Sequence, residues 1–146
     1  MSNENYDHLK LENQLCFPLY AASREVIKQY RPYLDEIDLT YTQYITLMVI
    51  WSEETISVRD LGKRLFLDSG TLTPVLKSLE AKGYVNRNRS AEDERVLMIA
   101  LTEEGKALKE QAAAIPGKMA GCVPLSAEEA AELYRLLYKV LGHTGE

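Results

Sequence analysis

The stretch from Leu67 to Lys106, "LDSGTLTPVLKSLEAKGYVNRNRSAEDERVLMIALTEEGK", decides the fold of this 146-residue chain. Asp68 or Ser69 can cap the start of a helix, and Gly83 can end it. Between these signals the apolar residues keep helical spacing. They are Leu72, Val75, Leu76 and Leu79. The first half of the stretch therefore predicts one amphipathic helix.

The second half of the stretch predicts a β-hairpin. "YVNRNR" alternates in polarity, and "RVLMIALT" places Leu97, Ile99 and Leu101 on one face. The polar run "SAEDE" between them predicts a turn with a charged tip.

Two further helices precede this stretch. Ser57 can cap "SVRDLGKRLF", and Thr42 can cap "TQYITLMVIW". Only a short turn separates the Ser57 helix from the helix that follows. A helix, a short turn, a second helix and a hairpin form a winged helix-turn-helix. We therefore predict a mainly α fold with a small β-hairpin wing (α+β), in which residues 42–102 form a winged helix-turn-helix DNA-binding core.

A wide apolar face marks the segment from Leu11 to Tyr30. Such a face is too wide for one neighbour, so the helix is either deeply buried or shared with a second subunit. We expect Pro32 to end it. Pro18 either starts the regular helix or kinks it just after Cys16. The face consists of two adjacent helical rows: Leu11, Leu15, Leu19, Ala22 and Val26, and Cys16, Tyr20, Ser23, Ile27 and Tyr30.

Two helices are expected after the hairpin. Thr102 opens the first, which runs to about Ala114, where Pro116 and Gly117 interrupt it. Ser126 opens the last helix with the spacing of a capping box. Its apolar stripe consists of Leu133, Leu136, Leu137, Val140 and Leu141.

Composition excludes several classes of protein. The chain is 46% hydrophobic and 27% charged, which is ordinary for a globular domain, and no apolar run approaches a membrane span. The N-terminus is polar and acidic, unlike a secretory signal. Two widely spaced cysteines then predict a cytoplasmic protein with reduced thiols. Without a CxxC motif or a Cys/His cluster, we expect no metal site and no cofactor.

Charge is distributed unevenly. The chain carries a net charge of −5, yet residues 59–95 hold 8 Lys/Arg and 6 Asp/Glu, a net +2. Phosphate binding depends on local cationic patches, not on the charge of the whole chain. The predicted second helix and hairpin supply candidate contacts to DNA phosphates and base edges. These are Ser69, Gly70, Thr71, Thr73, Pro74 and Lys77 on the helix, and Arg87, Arg89 and Arg95 on the hairpin.

Specific roles can be assigned to a few of these side chains. Thr71 or Pro74 can contact a thymine methyl group, and a hairpin-tip arginine can enter the minor groove. Asp93 can orient Arg95 through a charge-assisted hydrogen bond. The alternative is ordinary: Ser and Thr before a helix often only cap it, and strand arginines often only face solvent. The order of the elements favours DNA binding.

Cys16 also allows two interpretations. A free cysteine on an apolar helix face is commonly a small core residue. Tyr20, however, lies one helical turn away, and Tyr30 and Tyr41 supply further phenols. A phenol that donates to a thiolate stabilises the charged form and lowers the thiol pKa. Cys16 is therefore a candidate reactive thiol.

Several separated motifs carry a resemblance to a known family. "LDSGTLTPVLKSLEAKGYVNRNRSAEDERVLMIALTEEGK" resembles the recognition helix and wing of the MarR family of bacterial repressors. "DSGTLTP", "RSAEDER" and "LENQLCFPLYAASRE" are similar to the versions in its organic-hydroperoxide-sensing branch, called OhrR. The resemblance runs from about Lys10 to Lys106 and weakens after Lys109.

The resemblance implies a homodimer that binds a pseudo-palindromic double-stranded DNA operator. It implies one winged-helix domain over residues 1–146, with dimerisation helices at 8–31 and 103–141. The wide apolar faces of the first and last helices agree with this arrangement.

The resemblance also implies that Cys16 senses organic hydroperoxides, supported by Tyr30 and Tyr41 of the partner subunit, with Tyr20 as a secondary candidate. Oxidation gives a sulfenic acid, and a second thiol converts it to a disulfide that releases the DNA. Cys122 resembles the resolving cysteine of two-cysteine members; a low-molecular-weight thiol or a bystander role for Cys122 are the alternatives.

Three other functions stay open. The first is a MarR-type repressor released by a small aromatic ligand without cysteine chemistry. The second is a thiol peroxidase, but His8 and His143 stand near the chain ends and suggest no Cys/His pair, so we expect no enzyme and no catalytic residue. The third is a winged helix that makes only protein contacts.

Overall fold

The structure is a computed structural model that describes residues 5–142, so His143 and both ends of the expected 1–146 domain lie outside the described residues. Two short 3-10 turns, Asp7–Leu9 and Leu11–Asn13, precede the first α-helix. The helices are α1 (Cys16–Asp35), α2 (Tyr41–Glu53), α3 (Val58–Leu65), α4 (Ser69–Ala81), α5 (Glu103–Ala112), α6 (Ile115–Lys118) and α7 (Ala127–Val140). The strands are β1 (Thr55–Ser57), β2 (Val85–Arg89) and β3 (Leu97–Leu101).

The predicted fold class is confirmed. Helices α3 and α4 form the helix-turn-helix, and β2 pairs with β3 in an antiparallel hairpin in which Arg87 lies opposite Ile99. The sheet also contains β1, which the sequence analysis missed, in the order β1-β3-β2. Three residues are too few to show an alternating pattern, which is why β1 left no signal. Strand β2 is therefore an edge strand of the wing.

Side chains cap most of the helices, at positions that partly differ from the predictions. Ser57, Asp68 and Ser126 cap α3, α4 and α7 as predicted. The prediction that Thr42 caps α2 is wrong, because Thr40 accepts a hydrogen bond from Gln43 N at 3.2 Å. The Gln43 side chain accepts from Thr40 N at 3.0 Å in return, which completes a capping box.

The two prolines of α1 behave differently from each other. Pro18 is the third residue of α1, where a missing N–H costs no helical hydrogen bond, so the helix starts near it. The segment from Leu11 is thus not helical throughout, since α1 begins at Cys16. The prediction that Pro32 ends the helix is wrong: α1 continues to Asp35. The lost hydrogen bond of Pro32 is offset by the packing of Leu34, which is only 2% exposed.

The core lies between α2, the helix-turn-helix and the sheet. Helix α5 packs closely against the start of β2, because a Cβ added at Gly105 would lie 2.3 Å from the Tyr84 carbonyl oxygen. The Trp51 indole N–H donates to the Gly105 carbonyl at 2.8 Å, which ties α2 to α5. The largest side chains of the core have almost no exposure and are Leu47, Ile50, Leu61, Leu72, Leu76, Leu79 and Ile99.

The flanking helices contribute little to this core. Leu34 is the one fully buried residue of α1, and α7 has none. Helix α5 ends at Ala112, slightly before the expected Ala114, and Pro116 and Gly117 lie in the short helix α6 instead of an irregular break. Large apolar side chains of α1 and α7 therefore face outward. Among them are Leu19, Tyr20, Ile27, Leu133, Tyr134, Leu136 and Val140, and Leu15 directly before α1 is exposed as well.

Candidate DNA-binding surface and thiol site

The first turns of α4 project polar groups outward. Asp68 caps the helix by accepting from Thr71 N at 2.7 Å, and this hydrogen bond holds the pKa of the Asp68 carboxyl below its usual range. The Thr73 hydroxyl donates to the Ser69 carbonyl at 2.6 Å and is half-buried. The other predicted contacts on this helix are exposed: Ser69, Gly70, Thr71, Pro74 and Lys77.

Gly70 is not required by the fold of the chain. Its backbone does not adopt a positive φ, and an added Cβ would meet only an Asp68 carboxylate oxygen at 3.4 Å. Gly62, by contrast, would place a Cβ 2.8 Å from the Leu67 carbonyl oxygen. A glycine that internal packing does not demand is consistent with close approach of an outside partner to this helix end.

The tip of the wing holds the predicted pair of Asp93 and Arg95. The Arg95 guanidinium donates to both carboxylate oxygens of Asp93, at 3.1 and 3.2 Å. This contact also lowers the pKa of Asp93. The Arg95 side chain is 91% exposed, so its long axis extends into solvent while Asp93 fixes its direction.

The other two wing arginines differ from each other. Arg89 is exposed at the end of β2. Arg87 is only 25% exposed, and its guanidinium donates to Glu80 Oε1 at 3.2 and 3.0 Å. Arg87 is thus already engaged within the protein, unlike the free contact that the sequence analysis expected.

An open groove lies between α3, the start of α4 and the wing. Ser69, Thr73 and Arg95 line it, together with basic residues of α3 that the sequence analysis did not single out. Those residues are Arg59, Lys63 and Arg64. The basic pattern of "SVRDLGKRLF" was the available signal. Arg64 also donates to Glu53 at 3.0 Å.

Three tyrosines form a cluster at the junction of α1 and α2. The rings of Tyr30 and Tyr41 lie 5.0 Å apart, and Tyr44 lies 5.9 and 6.3 Å from them. Burial is the main cause that raises the pKa of all three phenols. They therefore stay protonated at neutral pH and can donate hydrogen bonds.

Cys16 lies far from this cluster in its own chain. It is the exposed first residue of α1, whereas Tyr30 follows 14 residues later on the same helix. At about 1.5 Å per residue the two are separated by about 21 Å along the helix. The phenol within one turn is that of Tyr20, which accepts from Arg24 at 3.4 Å. Tyr30 and Tyr41 can therefore reach a Cys16 only if it belongs to another chain.

Cys122 lies beside the tyrosine cluster. Its carbonyl accepts from the Gln29 side chain at 3.3 Å, and its half-buried side chain packs against the core. After burial, the nearby Cys122 thiol is the second cause that raises the pKa of Tyr30. Both cysteines are free in the described chain.

Residues 5–142 contain neither a membrane-spanning helix nor a cluster of metal ligands. No helix in this range has the length and apolar character needed to cross a bilayer. Within the same range, no three His, Cys, Asp or Glu side chains come together as potential metal ligands.

A helix-turn-helix with an exposed polar helix and a wing with an arginine at its tip defines a winged-helix protein. Comparisons with known proteins then identify its family. The family model described as "Transcriptional regulator SarA/Rot" matches residues 28–112. The organic hydroperoxide resistance transcriptional regulator of Bacillus subtilis is 52% identical over 136 residues, 93% of this chain and 92% of that protein.

Solved structures of similar fold support the same class of transcriptional regulator. Reduced AbfR bound to DNA superimposes with a TM-score of 0.76 at 36% identity, covering 93% of this chain and 95% of that one. A cysteine-to-serine mutant of MarR from E. coli, complexed with operator DNA, gives a TM-score of 0.79 at 29% identity, covering 87% and 93%. The chain belongs to the MarR family of transcriptional regulators, in the branch that includes the Bacillus subtilis hydroperoxide regulator.

Proposed function

We propose that the protein is a cytoplasmic, homodimeric transcriptional repressor that senses organic hydroperoxides through Cys16 and then releases its operator. One observation carries the proposal. Cys16 stands exposed at the start of α1, about 21 Å along the helix from a cluster of protonated phenols. Two antiparallel copies of α1 would bring the thiol of one chain to the cluster of the other. Neither half of such a site is complete in one subunit.

The exposed faces of the flanking helices support the dimer. Leu15 is 87% exposed, Tyr134 is 65% exposed and Val140 is 72% exposed. An apolar surface of this kind marks an interaction site, and α7, which has no buried residue, needs a partner to be stable. Dimerisation would also set the distance between the two α4 helices, which must match about one turn of DNA.

The chemistry of sensing follows from the two environments. The start of α1 places partial positive charge near the Cys16 sulfur, and the phenols of the partner subunit would donate hydrogen bonds to it. The thiolate sulfur attacks one oxygen of the hydroperoxide, the O–O bond breaks, and the leaving alkoxide is protonated to an alcohol. The sulfur is oxidised to a sulfenic acid, which a second thiol converts to a disulfide with loss of water.

This role makes the protein a sensor and not an enzyme. A sensor is oxidised once and then changes its DNA affinity, whereas a thiol peroxidase must turn over. The relatives are transcriptional regulators, which supports the first role. Rapid steady-state hydroperoxide turnover in the presence of a reducing thiol would contradict it.

The test is a DNA-binding assay before and after treatment with cumene hydroperoxide. The probe is the duplex that the reduced wild-type protein enriches from a pool of randomised duplexes. We expect Cys16→Ser to bind this duplex but to stay bound after treatment, while the wild type dissociates. Cys122→Ser is measured in the same assay and should bind the duplex as the wild type does before treatment, because Cys122 lies between α6 and α7, outside the DNA-binding surface. Release of the Cys16→Ser protein by hydroperoxide would refute the mechanism.

A second candidate function has one observation in its favour. An open apolar pocket of about 370 Å³ lies between α2 and α5, and Tyr44, Met48, Trp51 and Pro116 contribute to its wall. A small aromatic ligand there would release DNA without any cysteine. The same assay separates the two functions, because salicylate would then release wild type and Cys16→Ser equally.

A further inference from the structure

The Glu80 carboxylate connects the recognition helix to the wing. Oε1 accepts from the Arg87 Nε at 3.2 Å and from Nη2 at 3.0 Å, so one carboxylate oxygen takes two charge-assisted hydrogen bonds from the guanidinium. Oε2 accepts from the Arg87 backbone N–H at 3.1 Å. One side chain from the last turn of α4 therefore fixes both the side chain and the main chain of the third residue of β2.

The hydrogen bond from the Arg87 backbone N–H to Glu80 Oε2 is made at the outer edge of the sheet. Strand β2 pairs with β3 on one side only, so alternate N–H groups of β2 point away from the sheet. Glu80 satisfies one of these outward groups. The connection between α4 and β2 contains Gly83, whose φ is +85°, so the chain reverses sharply there. The Glu80–Arg87 pair then joins the two sides of this connection.

We infer that Glu80 and Arg87 form a clamp that sets the angle between the recognition helix and the wing, so that Arg87 positions the DNA-binding groups and does not itself contact DNA. The inference rests on the proposed DNA-binding function. A partly exposed ion pair adds little to stability, but a contact of three hydrogen bonds fixes geometry. The wing must hold Arg95 at a set distance from the exposed residues of α4, and β2 is the strand that joins them.

The test measures binding to the enriched duplex across a series of salt concentrations. Each direct phosphate contact contributes about 0.9 to the slope of log K against log salt. Arg87→Gln and Glu80→Gln are compared with the wild type and with the charge swap, Glu80→Arg with Arg87→Glu. Arg89→Gln is the matched control, since it removes one exposed arginine from the same strand.

We expect Arg87→Gln and Glu80→Gln to bind about tenfold more weakly, which corresponds to about 1.4 kcal/mol, with the wild-type salt slope. The swap should recover the part of this loss that depends on the side-chain pair, but not the part that depends on the backbone N–H of residue 87, because an arginine at position 80 has no acceptor for it. Circular dichroism and thermal unfolding identify any variant that fails to fold. If a single variant fails to fold, the charge swap is compared with the wild type in its place.

Three results would overturn the inference. One is a salt slope about 0.9 smaller for Arg87→Gln, which means a lost phosphate contact. Another is tighter binding by Glu80→Gln, which means that the carboxylate only repels DNA. The third is a swap that binds more weakly than both single variants. If the wild-type protein enriches no duplex even at low salt, the proposed function itself fails, which is a different result from these three.

Discussion

At the scale of single residues, burial of the tyrosine cluster determines which protons are available to the sensor. Tyr30, Tyr41 and Tyr44 lose hydration in the folded chain, and this raises their pKa above the ordinary value of 10.0. A phenol that holds its proton more tightly is a dependable donor to a thiolate at neutral and mildly alkaline pH.

The same shift predicts how stability depends on pH. Because the folded-state pKa lies above the unfolded value, the unfolded chain loses these protons first as pH rises. The stabilisation is complete below about pH 10 and is lost as pH rises further through the folded-state pKa. We expect the free energy of unfolding in urea to fall over this range, and to fall less steeply in Tyr41→Phe.

The control for that measurement is Tyr20→Phe, which removes an exposed phenol outside the cluster. Its free energy of unfolding should decline with pH as that of the wild type does. An unchanged decline in Tyr41→Phe would show that Tyr41 is not desolvated in solution.

Residue roles divide into those that the sequence can indicate and those that need the folded chain. The pairing of Asp93 with Arg95 was predictable because the residues are two positions apart. The engagement of Arg87 was not, since its partner Glu80 precedes it across a helix end and a turn. Arg87, Arg89 and Arg95 have the same residue type and similar neighbours, and only the fold distinguishes them.

At the scale of secondary-structure elements, the start of α2 gives the next prediction. Thr40 makes both hydrogen bonds of a capping box with Gln43, while Thr42 follows it inside the first turn. We expect Thr40→Ala to lower the free energy of unfolding by about 1 kcal/mol. Thr42→Ala is the matched control and should cost clearly less, because only its side chain is lost and its carbonyl still accepts from Thr46.

Urea unfolding at one fixed protein concentration measures both variants, since the stability of a dimer depends on concentration. Equal losses in the two variants would mean that α2 begins later in solution than it does here. The Thr40-x-x-Gln43 spacing was present in the sequence, so this cap could have been predicted.

Other elements could not have been predicted. Strand β1 is three residues long and forms because β3 offers it a partner, which is a tertiary effect. Helix α1 passes through Pro32 because Leu34 beyond it is buried. Local signals ended the helix at the proline, and tertiary packing outweighed them.

At the scale of the whole molecule, the order of helices, turn and hairpin was predictable because each element carries its own periodicity and caps. The dimeric assembly was only partly predictable. A wide apolar face on α1 indicated a second subunit, and the spacing of 14 residues already separates Tyr30 from Cys16 by about 21 Å along one helix. The sequence does not show, however, that Tyr41 and Tyr44 join Tyr30 in one cluster. It also does not show that Cys122 packs beside Tyr30.

This arrangement leads to a prediction about the second thiol. If the partner's tyrosine cluster receives Cys16, then Cys122 beside that cluster is the protein thiol that the sulfenic acid meets. A disulfide between them needs Cα atoms within about 7 Å, and Cys122 follows Gly121 in a loop between two helices, where the backbone can adjust. We therefore expect an intersubunit Cys16–Cys122 disulfide after oxidation.

A non-reducing gel after hydroperoxide treatment measures this. The wild type should move at twice the 16.5 kDa chain mass, and Cys122→Ser and Cys16→Ser should both stay at the monomer position. A covalent dimer that persists in Cys122→Ser would mean that two Cys16 thiols join instead. A monomer-sized wild type with added mass on the Cys16 peptide would assign the second thiol to a small molecule, and Cys122 would then be a packing residue beside the tyrosines. The expected result would couple the two subunits covalently at the helices that space the two α4 helices, so that oxidation at one end of α1 changes the fit to DNA at both recognition sites.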